Sequence, residues 1–184
     1  MTPIRTLIIS GLAASLAACA SAPPPKAPPL QHRVQQAAAN VAPASASLVS
    51  GRLTITAVGD GVRIAGELGG LGRGGMHAIH IHERGDCSAA DGSSAGGHFN
   101  PTASAHGRAS TATHHAGDMD NLVADASGVA RVDRHLIGVT LGSGGSNDIL
   151  GRALVIHAGP DDYTSQPAGN SGARVGCGVI EIAF

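Results

Sequence analysis

Leu53-Thr54-Ile55-Thr56-Ala57-Val58-Gly59-Asp60-Gly61-Val62-Arg63-Ile64-Ala65-Gly66-Glu67-Leu68 decides the fold class. On both sides of Gly59-Asp60-Gly61, apolar residues recur at every second position, so each half presents one apolar face as a strand. The two glycines and the aspartate suit a tight turn, and the stretch reads as a β-hairpin. Working outward, residues 47–50, 76–82, 122–125, 129–136, 153–157 and 178–183 are further strand candidates. About eight short strands with Gly-rich turns, and no convincing amphipathic helix, predict an antiparallel sandwich or barrel. Two long segments, 83–121 and 158–176, break this rhythm. Loops of that length in a compact domain usually carry function.

The composition narrows the possibilities. The chain has 184 residues, enough for one modest domain with appendages. It has 27 glycines and no tryptophan, and Phe99, Tyr163 and Phe184 are its only aromatic residues. The core must therefore be built from Val, Ile, Leu and Ala, so cross-links and bound metal would add much to its folding energy. A formal net charge of −1 gives no electrostatic footprint for nucleic acid, and none is expected as a partner.

The first residues read as an address. Arg5 precedes an apolar run over residues 7–18 that is too short to span a bilayer. The run ends in Leu16-Ala17-Ala18-Cys19, which has the form of a bacterial lipobox; an ordinary secretory signal is the other reading. On the lipobox reading, residues 1–18 are a lipoprotein signal peptide and Cys19 carries the lipid. Residues 19–44 are then a Pro/Ala-rich tether to a membrane, and residues 45–184 the folded domain. Ala20 leans toward outer-membrane sorting, which gives a periplasmic or outer-membrane lipoprotein of a Gram-negative bacterium. His32, alone in the tether, is assigned no role. With Cys19 committed to lipid, Cys87 and Cys177 remain as a pair, and two cysteines in an exported domain most often form a disulfide. Closing so long a loop would stabilise the fold by about 4–5 kcal/mol in the chain-entropy model.

Histidine is where the chemistry concentrates. Seven of the ten histidines fall between Gly75 and Asp118. His80 and His82 lie at i and i+2 of a predicted strand, so both project to one face. Alone, such a pair is more often a polar exposed face than a ligand pair. His98 follows Gly96-Gly97, His106 and His115 come later in the same long segment, and Asp118 is three residues beyond His115.

Six stretches, in order, carry a resemblance. They are Gly75-Met76-His77-Ala78-Ile79-His80-Ile81-His82-Glu83, Gly97-His98-Phe99-Asn100-Pro101, His106-Gly107, His115-Ala116-Gly117-Asp118, Gly151-Arg152-Ala153-Leu154-Val155-Ile156-His157, and Gly169-Asn170-Ser171-Gly172-Ala173-Arg174-Val175-Gly176-Cys177-Gly178. Together they make the chain resemble a copper–zinc superoxide dismutase of the bacterial type over nearly all of residues 47–184. The resemblance implies an all-β, antiparallel Greek-key eight-stranded barrel or sandwich with two long functional loops. It implies copper on His80, His82, His98 and His157, an all-imidazole set that suits Cu(II) and tolerates Cu(I). It implies zinc on His98, His106, His115 and Asp118, a closed tetrahedral set of the structural type. His98 would bridge the two metals.

The family spacing His-x-x-Asp is met by His115 with Asp118, not by His114. His77 matches a position that supports the site from behind by hydrogen bonding, and Asp161 matches an aspartate that bonds a ligand of each metal. Arg174 would attract and orient the superoxide anion at the copper mouth, held there by the Cys87–Cys177 disulfide. His98 and Arg174 are thus the expected catalytic residues. In the family picture, superoxide is disproportionated to dioxygen and hydrogen peroxide, and His98 leaves copper on reduction and carries a proton to the second superoxide. The segment 159–171 holds no lysine, so guidance of the anion falls to Arg174, with Arg84 or Arg108 as further contributors. His135 has no counterpart role and reads as a surface histidine. The alternative is a non-catalytic copper- and zinc-binding lipoprotein on the same fold, which would be expected to lack a copper ligand or the arginine. Subunit contacts differ between bacterial and eukaryotic relatives, so the resemblance implies no oligomeric state.

Overall fold

The computed structural model describes residues 30–183. The segment predicted as a signal peptide, Cys19 and the first part of the predicted tether lie outside the described residues. The predicted hairpin forms: β2 (Ser50–Val58) pairs antiparallel with β3 (Gly61–Gly69), with Ile55 opposite Ile64. Its period-two pattern sorts the side chains as expected. Leu53, Ile55, Val62, Ile64 and Leu68 are fully buried, while Arg63 and Glu67 face solvent. Burying each such Leu or Ile contributes about 2 kcal/mol before the entropy of ordering it is subtracted.

The remaining strands are β1 (Gln36–Pro43), β4 (Met76–His77), β5 (Ile79–His82), β6 (Leu122–Val123), β7 (Ala130–Ile137), β8 (Ala153–His157) and β9 (Arg174–Ile182). Seven of the nine strands form one antiparallel sheet in the order β5-β8-β9-β1-β2-β3-β7. β4 runs through Ala78 into β5 and pairs with β6, which packs beside β7. The two ends of the sheet are thereby drawn together around a core of Leu, Ile and Val. Counted with β4 and β5 as one broken strand, the barrel has eight strands. Among the described residues there is no α-helix, only a 3-10 turn at Ser93–Ala95.

Two expectations are corrected. Residues 47–49 are not a strand; they follow a turn at Ser45-Ala46, and pairing begins at Ser50. The tether does not extend to residue 44, because Gln36–Pro43 is a central strand paired with β2 on one side and β9 on the other. Its inward residues Ala37, Ala39 and Val41 are buried, but Ala38 on the other face is equally small and apolar. That composition hides the period-two signal. The register is instead fixed by backbone ladders on both flanks.

His32 is a second correction within the same segment, because it is bonded at both ring nitrogens. Its Nε2–H donates to the Val58 carbonyl at 2.8 Å, and its Nδ1 accepts from the Leu141 N–H at 3.1 Å. It fastens the run into β1 against the end of β2 and the loop at Leu141. A chain beginning at Ser45 should therefore fail to fold, since losing β1 splits the sheet into β2-β3-β7 and β5-β8-β9. One beginning at Leu30 should give a cooperative thermal transition by circular dichroism.

Candidate metal centre

On β5 the alternation works in both directions. Ile79 and Ile81 point into the barrel core, so His80 and His82 point outward. They are nevertheless buried, at 0% and 1% exposure, because segments 83–121 and 158–173 fold over that face. Under the first segment, Ala95, Ala153, Val155 and the Cys87–Cys177 disulfide make a small apolar floor. The predicted disulfide is present, with a Cα–Cα distance of 5.7 Å. His98 lies beside His82 as a bridge pair, and His157 ends β8, where the β8–β9 register shifts between Ile156 and His157.

The structure brings together both residue sets expected from the sequence. His80, His82, His98 and His157 offer one ligand atom each, as do His98, His106, His115 and Asp118, and within each set these atoms lie within 4.8 Å of one another. His114 is outside the second set and turns its Nδ1 to the His115 carbonyl at 2.7 Å. His135 is a surface residue, paired with Asp60 at 2.8 Å.

Whether metals fit can be read from the nitrogens that lack partners. His80 Nδ1, His82 Nε2, His98 Nε2, His106 Nδ1 and His157 Nε2 are buried and accept no hydrogen bond. Leaving so many polar atoms unpaired would cost about 1–3 kcal/mol each, so some ligand must take them. In each ring the other nitrogen is engaged. His80 Nε2–H and His106 Nε2–H donate to the two oxygens of Asp161 at 2.8 and 2.9 Å. His82 Nδ1–H donates to the Gly96 carbonyl at 2.9 Å, and His157 Nδ1–H to Gly172 at 3.3 Å. These bonds fix each tautomer so that the bare lone pair faces its neighbours.

The second set is closer still. His98 Nδ1 is 2.9 Å from Asp118 Oδ1 and 3.4 Å from His115 Nδ1, and His106 Nδ1 is 3.0 Å from Asp118 Oδ2. The His106 contact is short, yet its angles do not make a hydrogen bond, which is the pattern of two ligands aimed at a shared point. Ligands at tetrahedral zinc stand about 3.3 Å apart, given bonds of roughly 2.0–2.1 Å. The residues therefore fit a two-metal site with His98 between the sets.

The supporting residues are also in place. Asp161 is buried and bonds one histidine from each set. His77 Nδ1–H donates to the His157 carbonyl at 2.9 Å. Arg174 begins β9 directly opposite His157, and its two terminal nitrogens donate to the Gly92 and Gly96 carbonyls at 2.7 and 2.6 Å. The Gly96 carbonyl thus holds His82 and Arg174 together. Arg152, the second residue of its motif, lies over the Phe99 ring at 4.0 Å and donates to the Glu83 carbonyl.

Other contributors had weaker signals. Gly169 has φ of +65°, and a Cβ there would overlap the Asp161 carboxylate and the His106 ring. The long polar loop around it gave no hint of that approach. Asn121, Tyr163 and Gln166 also touch the site from behind, and nothing in their spacing points to it.

Burial sets the charge of the metal-free site. It lowers His82 to about 2, His157 to about 3 and His80 to about 4, the last against the raising effect of the hydrogen bond that His80 donates to Asp161. For Asp118 and Asp161, burial acts upward, but hydrogen bonds from His98 and from His80 and His106 respectively, with others, outweigh it and hold both low.

Fold and site together define a β-barrel protein with two adjoining metal-ligand sets that share one imidazole. The family model for copper/zinc superoxide dismutase matches residues 49–180. The chain belongs to the copper/zinc superoxide dismutase family. A superoxide dismutase [Cu-Zn] of Aquifex aeolicus is 45% identical over 72% of this chain and 79% of its own length. One from Caulobacter vibrioides is 42% identical over 72% and 78%. A superoxide dismutase-like protein from Bacillus subtilis superposes with a TM-score of 0.70 at 36% identity, covering 77% of this chain and 95% of its own. The family's cofactors are copper and zinc.

A pH prediction follows for the metal-free protein. The unfolded chain protonates its histidines near pH 6.5, whereas His80, His82 and His157 in the fold resist protonation until much lower pH. The unfolded state therefore binds more protons below about 6.5, and stability falls as pH falls from there toward about 4, by at most about 1.4 kcal/mol per unit per histidine. Urea midpoints of chelator-treated protein should be nearly level from pH 8 to about 7 and decrease steadily from about 6.5 to 4. Metal-loaded protein should hold its midpoint further into acid, since protons must first displace the metals.

Proposed function

We propose that the chain disproportionates superoxide, and that His80, His82, His98 and His157 would hold copper and His98, His106, His115 and Asp118 would hold zinc. The observation that carries this reading is His98, whose Nδ1 sits among the second set while its buried Nε2 lacks a partner. Copper, when bound, supplies one-electron oxidation and reduction, and zinc fixes the orientation and basicity of His98. Overall, two superoxide anions and two protons give dioxygen and hydrogen peroxide.

The chain's own residues do the rest. Arg174 attracts the anion electrostatically and orients it. Two carbonyls hold its guanidinium, which is half-buried beside His82 and His157. His98 Nε2 would take up a proton only when its lone pair is not held by copper, and would then deliver that proton toward the second superoxide. Asp161 and His77 keep His80, His106 and His157 in place while this happens. Segments 83–121 and 158–173 exclude water from the ligands.

Assayed as the full exported chain, the protein should hold near one copper and one zinc and disproportionate superoxide. His157→Ala should abolish activity, and Arg174→Met should lower the rate about tenfold or more at low salt with copper retained. Full metal content without activity would leave only a non-catalytic metal binder.

The bacterial relatives and the disulfide accord with an exported protein. Beyond that, we propose the lipoprotein reading, with Cys19 anchored in a membrane facing the periplasm. The fold suits it. β1 starts beside the end of β9, where Ala37 pairs with Ile182, while Arg174 begins β9 roughly 26 Å away. The active-site mouth therefore opens at the pole opposite the incoming tether. In detergent phase partitioning of expressing cells, the wild type should enter the detergent phase and Cys19→Ser the aqueous phase. A wild type found in the aqueous phase would favour the ordinary secretory signal.

A further inference from the structure

Two carboxamide side chains stand behind the metal-ligand sets and make the same pair of contacts. Asn121 Nδ2 donates to the Asp161 carbonyl at 2.9 Å, and its Oδ1 accepts from the Asp161 N–H at 2.8 Å. Gln166 Nε2 donates to the His106 carbonyl at 2.9 Å, and its Oε1 accepts from the His106 N–H at 2.9 Å. A carboxamide carries the donor and acceptor of a peptide unit. Each side chain thus pairs with its target as a neighbouring strand would, at residues that belong to no strand.

The Asn121 clamp is tied to the barrel. The Asn121 carbonyl accepts from Arg134 Nη2 on β7 at 2.8 Å, and its N–H donates to the Tyr163 hydroxyl at 2.9 Å. Tyr163 closes the circuit, its own N–H donating to Asp161 Oδ1 at 2.7 Å. A continuous hydrogen-bonded path therefore runs from the sheet through Asn121 to Asp161. From the two Asp161 oxygens it divides to His80 and His106. The Gln166 clamp reaches His106 alone.

We infer that Asn121 and Gln166 are positioning residues that set the metal centre before metal arrives, Asn121 for both sites and Gln166 for the zinc site only. This rests on the copper and zinc assignment above. Without Asn121, the Asp161 carboxylate loses its fixed origin, and the rings it holds in the two sets lose direction together. Without Gln166, only the His106 backbone is freed. Removing partners that orient metal-bound histidines typically weakens metal affinity 10- to 100-fold.

That asymmetry is the test. Co(II) placed at the zinc site reports its tetrahedral geometry by visible absorption, and Cu(II) reports its own site by electron paramagnetic resonance. Asn121→Ala should shift both spectra and weaken Co(II) binding about tenfold. Gln166→Ala should shift the Co(II) spectrum and leave the Cu(II) spectrum unchanged. Asn121→Asp, which keeps shape and acceptor but loses the donor, should show the double shift in smaller form if the alanine variant fails to fold. Ile55→Val, a buried substitution on the central strand β2 that does not border β7, gives a destabilised control whose spectra should match the wild type. Unchanged spectra in both clamp variants, with only lowered melting temperatures, would overturn the inference. So would a Cu(II) shift in Gln166→Ala as large as in Asn121→Ala. Wild type that takes up Co(II), with His115→Ala that does not, keeps the metal assignment standing whichever way the clamp variants behave.

Discussion

A buried imidazole cannot be left half-satisfied, and this constraint organises the molecule. Six histidines lie out of water on the outer face of the barrel. Each has two ring nitrogens, and in an environment of low polarity both need a partner. The chain supplies one partner per ring from carboxylates and backbone carbonyls, and leaves the other nitrogen bare at a shared point. Metal then becomes part of the folding energy as well as of the chemistry. His98 is the extreme case, because both its nitrogens are given to the centre.

The barrel supplies position and the loops supply partners. Strand alternation sets His80 and His82 apart from the core residues Ile79 and Ile81, and this costs the core nothing. The bonds that fix the rings of His80, His82, His98, His106 and His157 come from the long segments: Gly96 from the first, Asp161 and Gly172 from the second, Asp118 from the end of the first. The disulfide pins the first segment to β9, the strand that starts with Arg174. The Gly96 carbonyl receives both His82 and Arg174, so the geometry of the first set and the position of the Arg174 guanidinium are coupled through one atom.

A core with almost no aromatic residues is made workable by this arrangement. The alanine-rich β1 contributes little side-chain volume, yet it completes ladders with two strands and sits at the middle of the sheet. Its backbone pairing, more than its hydrophobic burial, makes it indispensable. The disulfide, the two metal sets and the clasp of His32 on the end of β2 and the loop at Leu141 add the cohesion that larger side chains provide elsewhere.

Much of this was legible in the sequence, for physical reasons. Period-two patterning at residues 53–68 reports a half-buried strand wherever it occurs, and the motifs around His80, His82, His98, His106, His115, Asp118 and His157 carried the family resemblance that implied two ligand sets. The resemblance implied His115 in place of His114, and His115 is the one that lies with His98, His106 and Asp118. Tertiary structure alone decided the rest. Whether Gln36–Pro43 is tether or strand depends on two distant ladders and not on its own side chains. His32 gains its role only where residues 58 and 141 converge on it. Asn121 and Gln166 act through carboxamides that pair with backbone, an interaction with no period, no fixed spacing and no composition to betray it.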